Sequence, residues 1–274
     1  MGKLLELECE SWDDLRDNLA EAQKRLGGDF EDLWFRGCPD HTYKLIPSLM
    51  RETNGLSDRM HNQVEEDLFF EFQARAAELR LRGLTEWEYL FYSRHYGVPT
   101  RVLDWTDTLG VSLYFALENW EKRSKSKACC PGIWITNPNE LNKKTWGEND
   151  IILPRYLGLD ADQAFWDFGE MLAASGPWGW DGPVAIYPIQ INDRVRAQRG
   201  WFTIHGNDRR ALEEQVPRTV VKLVLKHDCI QAGLEFLRLG GFNRFSMYPD
   251  LDNLATWIRE QKQQWMERRR TRKR

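Results

Sequence analysis

Apolar positions recur at helical spacing through much of the chain. Ser11 followed by Asp14 marks a helix start, and Trp12, Leu15, Leu19, Ala22 and Leu26 keep one face apolar until Gly27-Gly28 stops the run. Ser57 predicts a cap for a long helix whose inward stripe is Met60, Val64, Leu68, Phe72, Ala76 and Leu79. Thr85 with Glu88 caps another, which reaches His95 before Gly97. A further helix starts at Thr106 or Thr108 and carries Val111, Tyr114, Leu117 and Trp120, one covers 229–239, and Asp250 or Asp252 starts a last one.

Strand signals are shorter. Leu33 to Gly37, Thr100 to Trp105, Gly132 to Thr136, Val184 to Ile191, Trp201 to Ile204, Thr219 to Leu225 and Arg244 to Tyr248 read as strands, with Pro188 placing its strand at an edge. Residues 3–7 read as an apolar lead-in and 45–50 as an irregular apolar patch, while from Pro138 to Pro183 the periodicity breaks down around Trp146, Trp166, Trp178 and Trp180. Helices crowd the first half and strands the second. That predicts an α+β fold, a mostly helical N-terminal half packed on a mixed β core. No linker-like stretch divides the 274 residues, so a single domain is expected.

Composition narrows the class. An apolar content of 42% with 13 Trp and 13 Phe excludes a disordered chain. No apolar run approaches the roughly 20 residues of a membrane helix, and five cysteines without Cys-x-x-Cys spacing fit a reducing cytoplasm. The net charge of −4 hides a basic end: Arg268, Arg269, Arg270, Arg272, Lys273 and Arg274 leave the body with 32 basic against 42 acidic residues. Such an end holds phosphates by counterion release or simply suits a helix C-terminus.

The stretch from Arg94 to Ala116 stands out, because it packs the polar cluster His95, Thr100, Arg101, Asp104 and Thr106 between two apolar segments. A turn from strand to helix there exposes N–H groups suited to an anion. Arg36, at the end of an apolar strand, needs an internal carboxylate or a ligand phosphate, and Gly37 lets the backbone approach a ligand or take positive φ. A basic, amide-bearing segment leads into the strand at Trp201, and Arg196, Gln198 and Gly200 in it form a third candidate group. The chain has no phosphate-loop, dinucleotide-turn, nucleophile-elbow or zinc-helix motif, and five scattered histidines show no metal-ligand spacing. If the three segments converge, they suit a polyphosphate and a ribose.

In order, Trp34-Phe-Arg-Gly37, Leu45 to Arg51, His95 to Thr106, Leu113-Tyr-Phe-Ala116, Arg196 to Phe202 and Tyr248 to Leu254 resemble the signature of the FRG-domain family across about residues 10–260. That family in turn resembles the ADP-ribosyltransferase superfamily. The resemblance implies an ADP-ribosyltransferase-like β core and a substrate, NAD, gripped by Arg36 and Gly37. It places Thr100, Arg101, Asp104 and Thr106 on the cleft floor with His95, and Gln198 near the ribose 2′-hydroxyl or the acceptor. It further implies a protein or nucleic-acid acceptor, a toxin or phage-defence role and an antitoxin or inhibitor partner. A non-catalytic module binding a nucleotide or nucleic acid is the alternative. Two positions depart from the pattern. Gln198 stands where a catalytic glutamate is expected, which leaves Asp104 or His95 to take a proton, and Arg94 stands where the family tends to have glutamine.

Overall fold

A computed structural model describes residues 3–79, 81–123, 130–158, 167–173, 178–188 and 193–271. In chain order the elements are β1 (Leu5–Cys9), α1 (Trp12–Leu26), β2 (Trp34–Cys38), α2 (Ser48–Glu52), α3 (Asp58–Glu78), α4 (Glu86–His95), β3 (Val102–Thr106), α5 (Leu109–Leu117), α6 (Trp120–Arg123), β4 (Gly132–Thr136) and α7 (Pro138–Thr145). They continue with α8 (Phe168–Ala173), β5 (Val184–Ile186), α9 (Asp193–Ala197), β6 (Gly200–Ile204), α10 (Leu212–Gln215), β7 (Val220–Leu225), α11 (His227–Leu239), α12 (Arg244–Met247) and α13 (Leu251–Thr271).

Among the described residues, seven strands form one mixed sheet in the order β1-β7-β4-β2-β3-β6-β5. Only β1 and β7 run parallel among the strand pairs. Against one face pack α1, α5 and α11, closing a core around Leu33, Phe35, Ile133, Ile135, Leu113 and Leu223. The helices α3, α4 and α8 close a second core with β5 and β6 around Phe69, Phe91, Phe168 and Phe202. The pairing of β2 with β3 is the weakest in the sheet, a single register at Phe35 and Thr106. None of the described helices is long and apolar enough to cross a membrane.

The fold is α+β, as the pattern predicted, but the division into a helical half and a stranded half does not hold. Four strands precede residue 137, and helices run to the end. The lead-in is β1, which pairs along its whole length with β7, and the patch at 45–50 ends in α2. The stretch Arg244 to Tyr248 is α12 rather than a strand, because Asn243 and Ser246 cap each other reciprocally. Part of the 138–183 region is helical (α7 and α8), Trp180 is buried, and Trp166 lies outside the described residues.

The helix expected to run through Trp120 breaks after Leu117 into α5 and α6, and the strand from Val184 ends at Ile186. Ser11 with Asp14 and Thr85 with Glu88 are complete capping boxes, and α4 ends at Gly97 with φ 86°. The long helix α3 is rotated from its expected setting. Its buried line is His61, Glu65, Phe69 and Ala76, whereas Met60 and Leu79 are exposed. A buried guanidinium explains the rotation. Arg101, 1% exposed, donates through Nε to Glu65 at 2.6 Å and through Nη2 to the other carboxylate oxygen, and α3 turns to bring Glu65 to it.

Candidate functional site

The strand β3 presents Asp104 beside the last turn of α4, which carries Arg94 and His95. Arg94 grips the carboxylate with Nε at 3.2 Å from both oxygens and Nη2 at 2.5 Å from Oδ2, while its Nη1 donates to Ser48 Oγ. From β2, Arg36 donates through Nη1 to the Asp104 carbonyl oxygen at 2.6 Å and lies 3.5 Å from Oδ2. A third guanidinium comes from α9: Arg194 donates to the His95 carbonyl oxygen at 3.1 Å and stacks on Tyr248 at 4.5 Å.

Arg36, Arg94, His95, Asp104 and Arg194 line one cleft of about 870 Å³, together with Gly37, Tyr96, Thr106, Phe115, Glu118, Arg123 and Gln198. That volume falls in the range of ligand sites. The arginines control its electrostatics. Withdrawal from water pushes the Asp104 carboxyl up, but Arg94 first, then Arg36 and Arg194, more than offset this and hold it well below the usual carboxylate range. Burial, reinforced by Arg194, pulls His95 down to about 4. Asp104 is thus a fixed anion and His95 a neutral ring at neutral pH. Neither is a strong proton acceptor there.

The expected residues divide into those the fold brings together and those it does not. Arg36, Asp104, His95, Gln198, Thr106 and Gly37 all line the cleft. The Thr106 hydroxyl is used within the fold, donating to the Gln198 carbonyl oxygen at 2.8 Å and accepting from the Thr108 N–H. Gln198 spends its side-chain amide on the Met247 carbonyl oxygen at 3.0 Å. Gly37 is required by packing rather than by a ligand. Its φ is not positive, and a Cβ there would stand 1.8 Å from the Ser112 carbonyl oxygen and 2.7 Å from the Ala116 nitrogen, so only glycine lets α5 lie on β2.

Thr100 and Arg101 do not belong to the cleft. Thr100 is buried and fastens α2 through its backbone, donating to Ser48 Oγ and accepting from the Leu49 N–H. Arg101 pairs with Glu65, donates to the carbonyls of His205 and Gly206, lies 3.8 Å from the Trp178 ring and borders a second cavity of about 630 Å³. Of the basic C-terminal residues, Arg269 lies on α13 with its guanidinium 4.3 Å from the Trp265 ring, and Arg268 and Arg270 fall within the same helix. Arg272, Lys273 and Arg274 lie outside the described residues.

Sequence reasoning gave no role to Arg194 or Glu118 and saw Arg94 only as a departure from a pattern. One signal was available for Arg94, its place one residue before His95 at the end of a helix aimed into the polar stretch. Glu118 carried none, because it follows an apolar helix and looks like an ordinary solvated end.

Residues 31–125 match the FRG domain. The FRG segment runs from the turn before β2 to just beyond α6, and it contains Arg36, Gly37, Arg94, His95, Asp104 and Glu118. Arg194 and Gln198 come from outside it, so the cleft closes only when α9 folds against the FRG segment. No curated protein and no solved structure matches the chain.

Proposed function

We propose that the cleft binds NAD and that the protein transfers ADP-ribose from it to a macromolecular acceptor. One observation carries the reading: Arg36 and Arg94 meet a single carboxylate, Asp104, with Arg194 held beside them on the His95 carbonyl, so a surplus of guanidinium charge lines a cleft of nucleotide size. A diphosphate supplies the missing negative charge, and planar guanidinium forks suit its oxygens. Tyr96, 68% exposed, and Phe115 offer ring faces to a nicotinamide or an adenine. The resemblance of the FRG family to ADP-ribosyltransferases supplies the reaction class. Nicotinamide leaves, the ribosyl cation is stabilised by nearby negative charge, and an acceptor captures C1′.

The acceptor is a protein or a nucleic acid. The run of arginines on α13 and beyond supports the latter, since such a segment attracts phosphate. A second reading is favoured by the poor basicity of Asp104 and His95: a module that holds a nucleotide without turning it over.

Incubation with labelled NAD and cell extract, followed by nuclease or protease, separates the two. Transferred label that is lost in Arg36→Ala supports the enzyme. NAD binding without transfer supports the module, and undiminished transfer by Arg36→Ala removes the proposed role of that arginine. A toxin would slow host growth as wild type and not as Arg36→Ala.

A further inference from the structure

We propose that Glu118 is the general base of the cleft, taking the proton from the acceptor group that attacks C1′ of the nicotinamide ribose. The inference rests on the reading of the cleft as an NAD site and names the group that neither Asp104 nor His95 supplies.

Two carboxylates line the cleft among its described residues, Asp104 and Glu118. Asp104 receives the Arg94 fork on both oxygens, and protonating it would cost those charge-assisted contacts. Glu118 is placed differently. Its carboxylate accepts one hydrogen bond from a neutral donor, the Tyr114 hydroxyl at 3.3 Å. Burial first, and then Glu118 itself, push the Tyr114 phenol up, which keeps that donor protonated. The neighbouring guanidinium of Arg123 interacts electrostatically with Glu118 and donates hydrogen bonds to the main chain. Its Nε and Nη2 donate to the Glu118 carbonyl oxygen at 3.2 and 3.0 Å, and it also ties down the carbonyls of Ala116 and Pro39.

The backbone carries Glu118 out of the helix at the cleft wall. α5 ends at Leu117, Glu118 leaves the helix with φ −54° and ψ 127°, and Asn119 takes the left-handed conformation at φ 58°. Asparagine is among the few residues other than glycine that tolerate this region at a helix end. α5 itself reaches β2 because Gly37 lacks a side chain, so the glycine of the FRG motif sets where Glu118 stands relative to Arg36.

The step balances without a further reactant. The bond from C1′ to the nicotinamide nitrogen breaks, its electron pair neutralises the pyridinium, and nicotinamide departs. The acceptor heteroatom forms the new bond to C1′, its proton passes to the Glu118 carboxylate, and solvent later removes it.

The test uses the full chain, NAD with water as acceptor (nicotinamide release), labelled NAD with cell extract, and calorimetric NAD binding. Glu118→Gln is expected to lower kcat by about 10²- to 10⁴-fold, the ordinary contribution of a general base. It should leave NAD affinity unchanged and erase the acid limb of the kcat/KM pH profile, and Glu118→Asp should recover part of the rate. Wild-type turnover by Glu118→Gln, or a rise in KM with kcat intact, overturns the proposal while leaving the NAD reading in place. Wild type that binds NAD and turns over with neither water nor extract overturns it too and leaves the binding module. Wild type that does not bind NAD removes both.

Discussion

Arg36 reaches across the narrowest pairing of the sheet to Asp104, with Nη1 2.6 Å from the carbonyl oxygen and 3.5 Å from Oδ2 of the carboxylate. Between β2 and β3 only Phe35 and Thr106 are in register, so this side chain bridges strands that the backbone joins at a single point. The contact places a guanidinium on the cleft lining and fixes Asp104 for the Arg94 fork.

Asp104→Asn tests that arrangement. It preserves the shape of the side chain and removes the charge that orients Arg94 and Arg36. The carboxylate is 44% exposed, which screens the interaction, so a loss of about 1 kcal/mol is expected in urea unfolding at pH 7. The Asp104 pKa is depressed in the fold, so its contribution is complete above the unfolded value of about 4 and declines as pH falls through the lower folded value. The difference between wild type and variant should therefore shrink below about pH 4.

Gly37→Ala sets a Cβ against two backbone atoms of α5, neither of which can swing aside. A loss of about 3 kcal/mol or more is expected by denaturant melting. A variant that unfolds at the wild-type midpoint would show that α5 does not lie on β2 as described.

Glu65 and Arg101 form a buried pair, 3% and 1% exposed. Glu65→Gln leaves a buried guanidinium uncompensated and should cost about 3–5 kcal/mol. The double variant Glu65→Leu/Arg101→Met should recover most of that in the same melts. Because Arg101 does not line the cleft, the double variant should also keep wild-type NAD affinity by calorimetry.

His205 is fully buried with neither ring nitrogen hydrogen-bonded, and burial, aided by Arg101, pulls it down to about 3. His61, 3% exposed, is pulled down to about 4, chiefly by burial. Both folded values lie below the unfolded one, so the unfolded chain binds more protons at mildly acid pH and stability falls as pH drops below about 6.5. Each ring should cost about 2 kcal/mol at pH 5. His205→Leu should raise stability by about 1 kcal/mol at neutral pH by removing unsatisfied polar atoms, and it should flatten the pH dependence of Tm between pH 7 and 5.

By itself the sequence determined the features that depend on a few neighbouring residues. The capping boxes at Ser11 and Thr85, the stop at Gly97 and most of the strands were legible, because caps and alternation are written within four positions; Arg36, Asp104, His95 and Gln198 were legible as candidates, and only the fold brought them to one cleft. Tertiary structure decided what depends on distant partners. Arg36 meets Asp104 across 68 residues, and Arg101 meets Glu65 across 36. Only the assembled sheet could show that Arg101 faces a buried carboxylate rather than the cleft. Gly37 likewise acquires its reason only when α5 arrives, and Glu118 enters the cleft because that helix can approach so closely. A buried charge must find its partner wherever the fold puts it, and that demand, invisible to local periodicity, turned α3 and sorted the polar residues into two places.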